Sequence, residues 1–334
     1  MGKNVLVTGG AGFIGSHLVD HLLNDGHTVS VIDNLSTGRI ANVENHKDNP
    51  RFKFIKADIA DFEQIQGWFK DQTIVFHLAA LADVVPSIVN PRGYYTSNVL
   101  GTMNVLEASR LKGVEKFVYT ASSSCYGIPP QGYYPTTETA PISTEYPYAL
   151  TKFLGELTAF HWARVYRIPL VSLRLFSVYG PRARTSGTYG AVFGVFLTQK
   201  LNGKPYTVVG DGDQTRDFVY VSDVVEAFCA AGFSAVDQEA FNVGTGKPQS
   251  INKLVSLLGG EKVHIPQRPG EPACTWADIR KIKSQLGWQP KVSFEEGVGK
   301  ILKHIDYWRE APLWTPDNIK EATQDWFKYL ATKG

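Results

Sequence analysis

Asn4-Val5-Leu6-Val7-Thr8-Gly9-Gly10-Ala11-Gly12-Phe13-Ile14-Gly15 is the stretch from which the rest of the chain is read. A short apolar run gives way to glycines, and then to Phe13, Ile14, Leu18, Leu22 and Leu23 at helical spacing. That order predicts a strand, a tight turn and a helix. Gly10, Gly12 and Gly15 satisfy G-x-G-x-x-G, and each has a mechanical reason to be glycine. One turns the chain, one lets backbone approach a pyrophosphate, and one lets the helix pack close to the strand. A diphosphate in that turn would meet the unpaired amides and positive end of the helix.

Glycine-rich turns produce this pattern easily, so its surroundings decide its meaning. Residues 28–32 form a second apolar strand that ends in Asp33, about twenty residues beyond the glycines, where a carboxylate accepts hydrogen bonds from a ribose 2′-OH. The same carboxylate repels a 2′-phosphate, which favours NAD over NADP. Arg39, a short loop away, leaves NADP open.

The 334 residues are 43% hydrophobic and 20% charged, with a formal net charge of +2. This is ordinary globular composition, enough for one large domain or two merged ones. Scattered Lys and Arg give no electrostatic reason to expect nucleic acid or an anionic membrane. Cys125, Cys229 and Cys274 are far apart and lack C-x-x-C, so a reducing cytoplasm is the expected compartment. The first strand begins at once, leaving no room for a signal peptide, and Leu6 stands where a myristoylation signal needs Ser or Thr. The most apolar run, residues 74–89, is broken by His77, Asp83 and Pro86, so no membrane span is expected.

Along the chain, Asn34-Leu35-Ser36-Thr37-Gly38 is a polar loop suited to flank an adenine ribose. Residues 52–56 are a third strand, followed by Asp58 and Ile59 at its carboxyl end; Asp58 reads either as a helix cap or as an adenine contact. Residues 74–78 are a fourth strand, apolar on both faces as parallel strands are, with His77 expected as a packed, hydrogen-bonded histidine. Leu78-Ala79-Ala80 leaves small residues at its tip. Residues 94–112 read as one long helix in which Asn98 either reaches the cofactor or bonds backbone. A fifth strand from Lys116 runs into Ser122-Ser123-Ser124, placing three hydroxyls at a carboxyl edge.

Tyr148 and Lys152 open the next amphipathic helix. Four residues apart, they share one face, so the ammonium is expected to lower the phenol's pKa and make it a base for a sugar hydroxyl. Tyr329 and Lys333 repeat this spacing in a tail where no chemistry is expected. Position relative to the glycine turn and the serines therefore carries the assignment.

With T-G-G-A-G-F-I-G (8–15), S-S-S-C-Y-G (122–127) and Y-A-L-T-K (148–152) in this order, the chain resembles the extended short-chain dehydrogenase/reductases, and among them the nucleotide-sugar 4-epimerases of the UDP-galactose 4-epimerase type. The likeness runs to about Trp308. It implies an α/β fold: a Rossmann-type doubly wound parallel sheet with a smaller α/β C-terminal substrate domain. Residues 1–175 would form the NAD-binding part, with about 210–245 returning to it, and 176–334 mainly the substrate part. The implied cofactor contacts are Gly9, Gly12, Phe13, Ile14, Gly15, Asp33, Asn34, Leu35, Ser36, Thr37, Gly38, Asp58, Ile59, Leu78, Ala79, Ala80, Asn98, Tyr148, Lys152 and Phe176, with NAD as cofactor and no metal.

The second half supplies the substrate side of the resemblance. Arg174-Leu-Phe-Ser177-Val-Tyr-Gly-Pro-Arg182 is similar to the family's R-x-F-N-V-Y-G-P-R, with Ser177 in place of an asparagine that touches the sugar nucleotide. The segment 215–224 implies that Arg216 grips the diphosphate; Arg268-Pro-Gly-Glu271 implies Arg268 on phosphate and Glu271 on ribose. Thr275, before Trp276-Ala277-Asp278, occupies the position that limits substituents at sugar C2, and its small size resembles enzymes admitting 2-acetamido sugars. Ser123, Ser124, Val192 and Thr207 complete the substrate set. The segment 185–203 reads as a glycine-rich loop and a lid helix, 210–213 as a hairpin turn, and Trp308, Trp314 and Trp326 as packing of the C-terminal domain.

The implied reaction is transient oxidation at C4 of a UDP-hexose or UDP-N-acetylhexosamine: Tyr148 takes the 4-OH proton, Ser122 with Ser123 or Ser124 holds the oxygen, and the 4-keto sugar turns over. A 4,6-dehydratase is the alternative, although related dehydratases carry Asp and Glu where Ser123 and Ser124 stand. A net sugar reductase and a non-catalytic NAD-sensing protein are the other classes. The family also implies a homodimer packed through helices 94–112 and 148–166.

Overall fold

The computed structural model describes residues 2–130, 132–183 and 190–331. Among these residues, thirteen strands follow in chain order: β1 (Asn4–Thr8), β2 (Thr28–Asp33), β3 (Phe52–Lys56), β4 (Ile74–His77), β5 (Lys116–Ser122), β6 (Leu170–Leu175), β7 (Ser177–Tyr179), β8 (Tyr206–Val209), β9 (Thr215–Arg216), β10 (Phe218–Tyr220), β11 (Glu239–Val243), β12 (Gln249–Ser250) and β13 (Lys262–Ile265). Seven of them form one sheet in the order β11-β6-β5-β4-β1-β2-β3, with every neighbouring pair parallel. The order reverses between β1 and β4. In a doubly wound sheet the ligand crevice opens there, beyond the carboxyl ends of the strands.

β1 shows why these residues make a central strand. Val5 and Val7 face one layer with Leu18, Val19, Leu22 and Phe228; Leu6 faces the other with Val105, Phe117, Tyr119 and Ala159. Both faces are therefore apolar, and each fully buried side chain of this kind contributes about 1.5–3 kcal/mol. A third core holds the C-terminal part together, built from Phe193, Phe196, Tyr206, Phe218, Phe294 and Trp308.

Several expected elements differ. The helix of residues 94–112 is a composite: Pro91–Tyr95, a π-helical turn at Thr96–Leu100, then Gly101–Lys112. The widened turn coincides with Asn98, whose side chain is committed to Leu81 and Thr151, and with Gly101, where a Cβ would lie 2.7 Å from Ile59 Cδ1. Asp61, not Asp58, caps the short helix Phe62–Ile65. The segment after β8 is a turn and no hairpin, because β8 pairs in parallel with β13 while β9 pairs antiparallel with β12. Residues 184–189 of the expected lid loop, and Lys333, lie outside the described residues. The helix Val192–Leu201 of that expected lid packs into the third core through Phe193, Val195, Phe196 and Leu197 and walls the cleft. No helix among the described residues is long and apolar enough to cross a membrane.

Candidate active site

The glycine turn is closed by contacts that leave no room for side chains. Gly9 has φ +72°, and a Cβ on it would lie 2.7 Å from the Ala79 nitrogen at the end of β4. Gly12 N donates to Gly9 O at 3.1 Å, and a Cβ on Gly15 would stand 2.2 Å from that same oxygen. The helix Phe13–Asn24 can therefore begin against the sheet. Its N-cap, Gly12, supplies no capping side chain, which leaves the positive helix end to a ligand.

Beside this turn, the buried Asp33 carboxylate accepts from Ala11 N at 3.0 Å and Leu35 N at 2.8 Å. Burial pushes its pKa up, and the two amide bonds pull it back. Leu78, Ala79 and Ala80 line the cleft beyond β4 without bulky polar groups. His77 is a packed histidine, with Nδ1 2.6 Å from Thr8 Oγ1 and Nε2 2.9 Å from Thr102 Oγ1; burial holds its pKa down at about 3.

At the end of β5, Ser122 Oγ is 2.8 Å from Ser124 Oγ and accepts from Ser124 N. The Tyr148 side chain lines the same part of the cleft as Ser122 and Ser124. One helical turn on, Lys152 is buried, and its ammonium lies 4.7 Å from the Tyr119 ring centroid. This corrects the expectation that Lys152 pulls the phenol's pKa down. Burial pushes Tyr148 up, Ser122 and Ser124 are what oppose it, and burial lowers Lys152 itself to about 7 against the pull of Glu156.

On the opposite side, Glu271 joins two cations. Arg216 Nη2 donates to its Oε1 at 2.7 Å, and Arg268 Nη1 lies 3.7 Å from its Oε2. Oε2 is buried and makes no hydrogen bond among the described residues. Thr275 Oγ1 accepts from Asp217 N and Thr207 Oγ1 from Gln199 Nε2, so both hydroxyls already have partners.

The glycine turn, Asp33, the serines, Tyr148, Lys152 and the Arg216–Glu271–Arg268 group surround one cleft of about 700 Å³. Its walls include Gly9, Gly12, Phe13, Ile14, Gly15, Asp33, Asn34, Ser36, Thr37, Ile59, Leu78, Ala79, Ala80, Ser122, Ser123, Ser124, Tyr148, Lys152, Phe176, Ser177, Val192, Thr207, Arg216, Arg268, Glu271 and Thr275. Four expected cofactor residues stand behind the wall. Leu35 adopts φ +61° and gives its N–H to Asp33; Gly38 backs the same carboxylate, 2.9 Å from where its Cβ would be. Asp58 accepts from Asn34 Nδ2 and Ala60 N, and Asn98 fixes Leu81, which does face the cleft.

Sequence reasoning missed Thr120, Asp83, Tyr146, Tyr179, Arg182 and Trp326, all of which line the cleft. Tyr146 had a usable signal: the residue before a proline is held extended, as it is here, and it points into the same space as Tyr148. Trp326 had none, since only the tertiary fold brings the tail to the cleft. Trp308, Trp314 and Trp326 pack in the third core as expected, yet all three also face the cleft.

A capless helix end at a side-chain-free turn, a carboxylate at the tip of β2 and a phenol in one cleft with the serines of β5 form a Rossmann-type site that fits a dinucleotide. The model of the NAD dependent epimerase/dehydratase family matches residues 5–244, and the chain belongs to that family. It is 41% identical over 307 residues to a UDP-glucose 4-epimerase of Mycolicibacterium smegmatis, covering 89% of this chain and 97% of the relative. Among solved structures it is similar to UDP-glucose 4-epimerase with UDP-glucose from Thermotoga maritima, at TM-score 0.85 and 38% identity over 92% of this chain and 99% of that one. It is also similar to a UDP-N-acetylglucosamine 4-epimerase from Methanobrevibacter ruminantium M1 in complex with UDP-N-acetylmuramic acid, at TM-score 0.85 and 34% identity over 92% and 98%.

Proposed function

We propose that the protein is an NAD-dependent nucleotide-sugar 4-epimerase acting through a 4-keto intermediate on a UDP-hexose or UDP-N-acetylhexosamine. The observation that carries this reading is the Tyr148 phenol in one cleft with Ser122, Ser124, the glycine turn and the Arg216–Glu271–Arg268 group. Gly9, Gly12, Gly15 and Asp33 would hold the dinucleotide, which when bound supplies the hydride acceptor and then, within the same turnover, the donor.

The protein's own groups do the rest. Tyr148 removes the 4-OH proton as C4 is oxidised and returns it after the sugar has turned. Ser122, held by Ser124, steadies the oxygen throughout. Arg216 and Arg268 keep the diphosphate tethered during the turn, with Glu271 fixing both forks and free to take a ribose hydroxyl on its unbonded oxygen. Thr275 leaves space at C2 for an acetamido group. We assign the protein to a reducing cytoplasm, where its three free thiols persist, and to a homodimer. Leu100, Leu111, Leu157 and Val165 are exposed on the two neighbouring helices and supply an apolar face for a partner copy.

The test is to incubate the purified protein with UDP-, GDP-, CDP- and dTDP-sugars and identify products by NMR. C4 epimers of UDP-sugars are expected. A stable 4-keto product with loss of water would make it a 4,6-dehydratase, consumption of added NADH a reductase, and NAD binding without any product a sensor.

A further inference from the structure

Four side chains run in file along the cleft from Arg268 to Tyr148. The Arg268 guanidinium lies 5.7 Å from the Trp326 ring centroid. Trp326 stands 6.1 Å from Tyr146, and Tyr146 stands 6.4 Å from Tyr148 with the two rings 6° from parallel. All four line the cleft. The two inner members are held rigidly: the Trp326 indole N–H donates to Pro269 O at 2.6 Å, and Tyr146 is an extended N-cap residue locked before Pro147.

The proposed function places the two ends of a substrate on the two ends of this file, with the diphosphate at Arg268 and the reacting carbon at Tyr148. The hexosyl ring bridges those ends, so it runs alongside Trp326 and Tyr146. That ring must be accommodated in two orientations, because each turnover presents both of its faces to the same phenol. A hydrogen bond suits one orientation and is lost in the other. An aromatic face makes dispersion and C–H contacts that are largely indifferent to which hydroxyl points where.

We propose that Trp326 and Tyr146 form an aromatic platform for the hexosyl ring, which makes the last helix, Gln324–Leu330, part of the substrate site. The platform contributes to sugar binding in both epimeric states and little to binding of the nucleotide alone. This inference rests on the epimerase reading for the location of the two substrate ends.

The experiment compares calorimetric affinity for UDP-glucose and for UDP in the NAD-bound wild-type, Trp326→Leu, Trp326→Phe and Tyr146→Leu proteins. The platform predicts that Trp326→Leu and Tyr146→Leu each weaken UDP-glucose about tenfold while UDP stays within about twofold, and that Trp326→Phe recovers most of the loss. Unchanged affinity for UDP-glucose in both leucine variants overturns it. So does a parallel loss of UDP and UDP-glucose, which would leave Trp326 only a support for Arg268. Retained UDP affinity shows that a variant is folded, and if Trp326→Leu does not fold, Tyr146→Leu reads the same difference. Because the measurement is binding, it decides the platform whether or not the wild-type protein yields a C4 epimer, and the product assay decides the reaction separately.

Discussion

The Lys152 ammonium sits 4.7 Å from the Tyr119 ring centroid, while the Tyr119 hydroxyl donates to the Lys152 carbonyl at 3.0 Å. One tyrosine thus holds both ends of the lysine, and burial brings the ammonium's pKa down to about 7. The cation is in place for a ligand at a cost to the empty protein. In the unfolded chain the same lysine keeps its proton up to 10.5. Between those two values the unfolded state binds more protons, so the contribution of Lys152 to stability rises with pH across that window and is least favourable below it. Lys152→Met is therefore expected to raise the melting temperature of NAD-free protein more at pH 6 than at pH 10, while abolishing turnover. An equal gain at both pH values would show that Lys152 is not depressed.

Gly15 is a matter of space, and Gly67 is its control. A Cβ on Gly15 would lie 2.2 Å from Gly9 O, whereas one on Gly67 meets nothing within 4 Å. Overpacking of this kind costs about 1–3 kcal/mol. Gly15→Ala should lower the urea midpoint accordingly and weaken NAD binding at least about tenfold as the turn shifts. Gly67→Ala should stay within about 1 kcal/mol of wild type with NAD affinity intact.

Behind the serines lies a buried ion pair. Arg174 Nη2 is 2.5 Å from Glu156 Oε1, Ser172 Oγ donates to Glu156 Oε2 at 2.7 Å, and Arg174 also donates to Tyr126 Oη. Removing one partner strands a charge in the interior. Glu156→Leu should cost about 3–5 kcal/mol, and adding Arg174→Met should restore a large part of it, since a well-packed apolar pair is often neutral. Urea unfolding of the two single variants and the double variant measures the coupling. An additive double variant would mean that the pair does not act as a unit.

Five of the seven sheet strands, β1 to β5, were legible from their apolar runs, and four of them end in a chemically marked residue: glycines after β1, Asp33 on β2, alanines after β4 and serines at the end of β5; β6 and β11 carry no such marker. Local pattern carries that information. What was not legible depends on where side chains turn. Asn98 lies on the expected helix, yet a π-helical turn and three hydrogen bonds direct it to Leu81 and Thr151, away from the cleft. The four-residue spacing of Tyr148 and Lys152 put them on one helix face, but a ring from the neighbouring strand takes the ammonium. Trp326 reaches the cleft through the packing of the last helix, which no local spacing encodes.

In the proposed function Thr275 stands at C2 of the sugar, where size and hydrogen bonding can be tested separately. Its hydroxyl is already bonded to Asp217 N at 3.2 Å, so its value to a substrate lies in the volume it leaves empty. Thr275→Tyr fills that volume. It should lower kcat/KM for UDP-N-acetylglucosamine about a hundredfold while UDP-glucose falls by less than about tenfold, because a steric clash rejects only the larger substituent. Thr275→Val keeps the size and deletes the acceptor, so it should cost about 0.5–1.5 kcal/mol of stability and leave the ratio of the two kcat/KM values unchanged. A shifted ratio in Thr275→Val would mean that the hydroxyl itself reads the sugar. Equal losses on both sugars in Thr275→Tyr would place C2 elsewhere in the cleft.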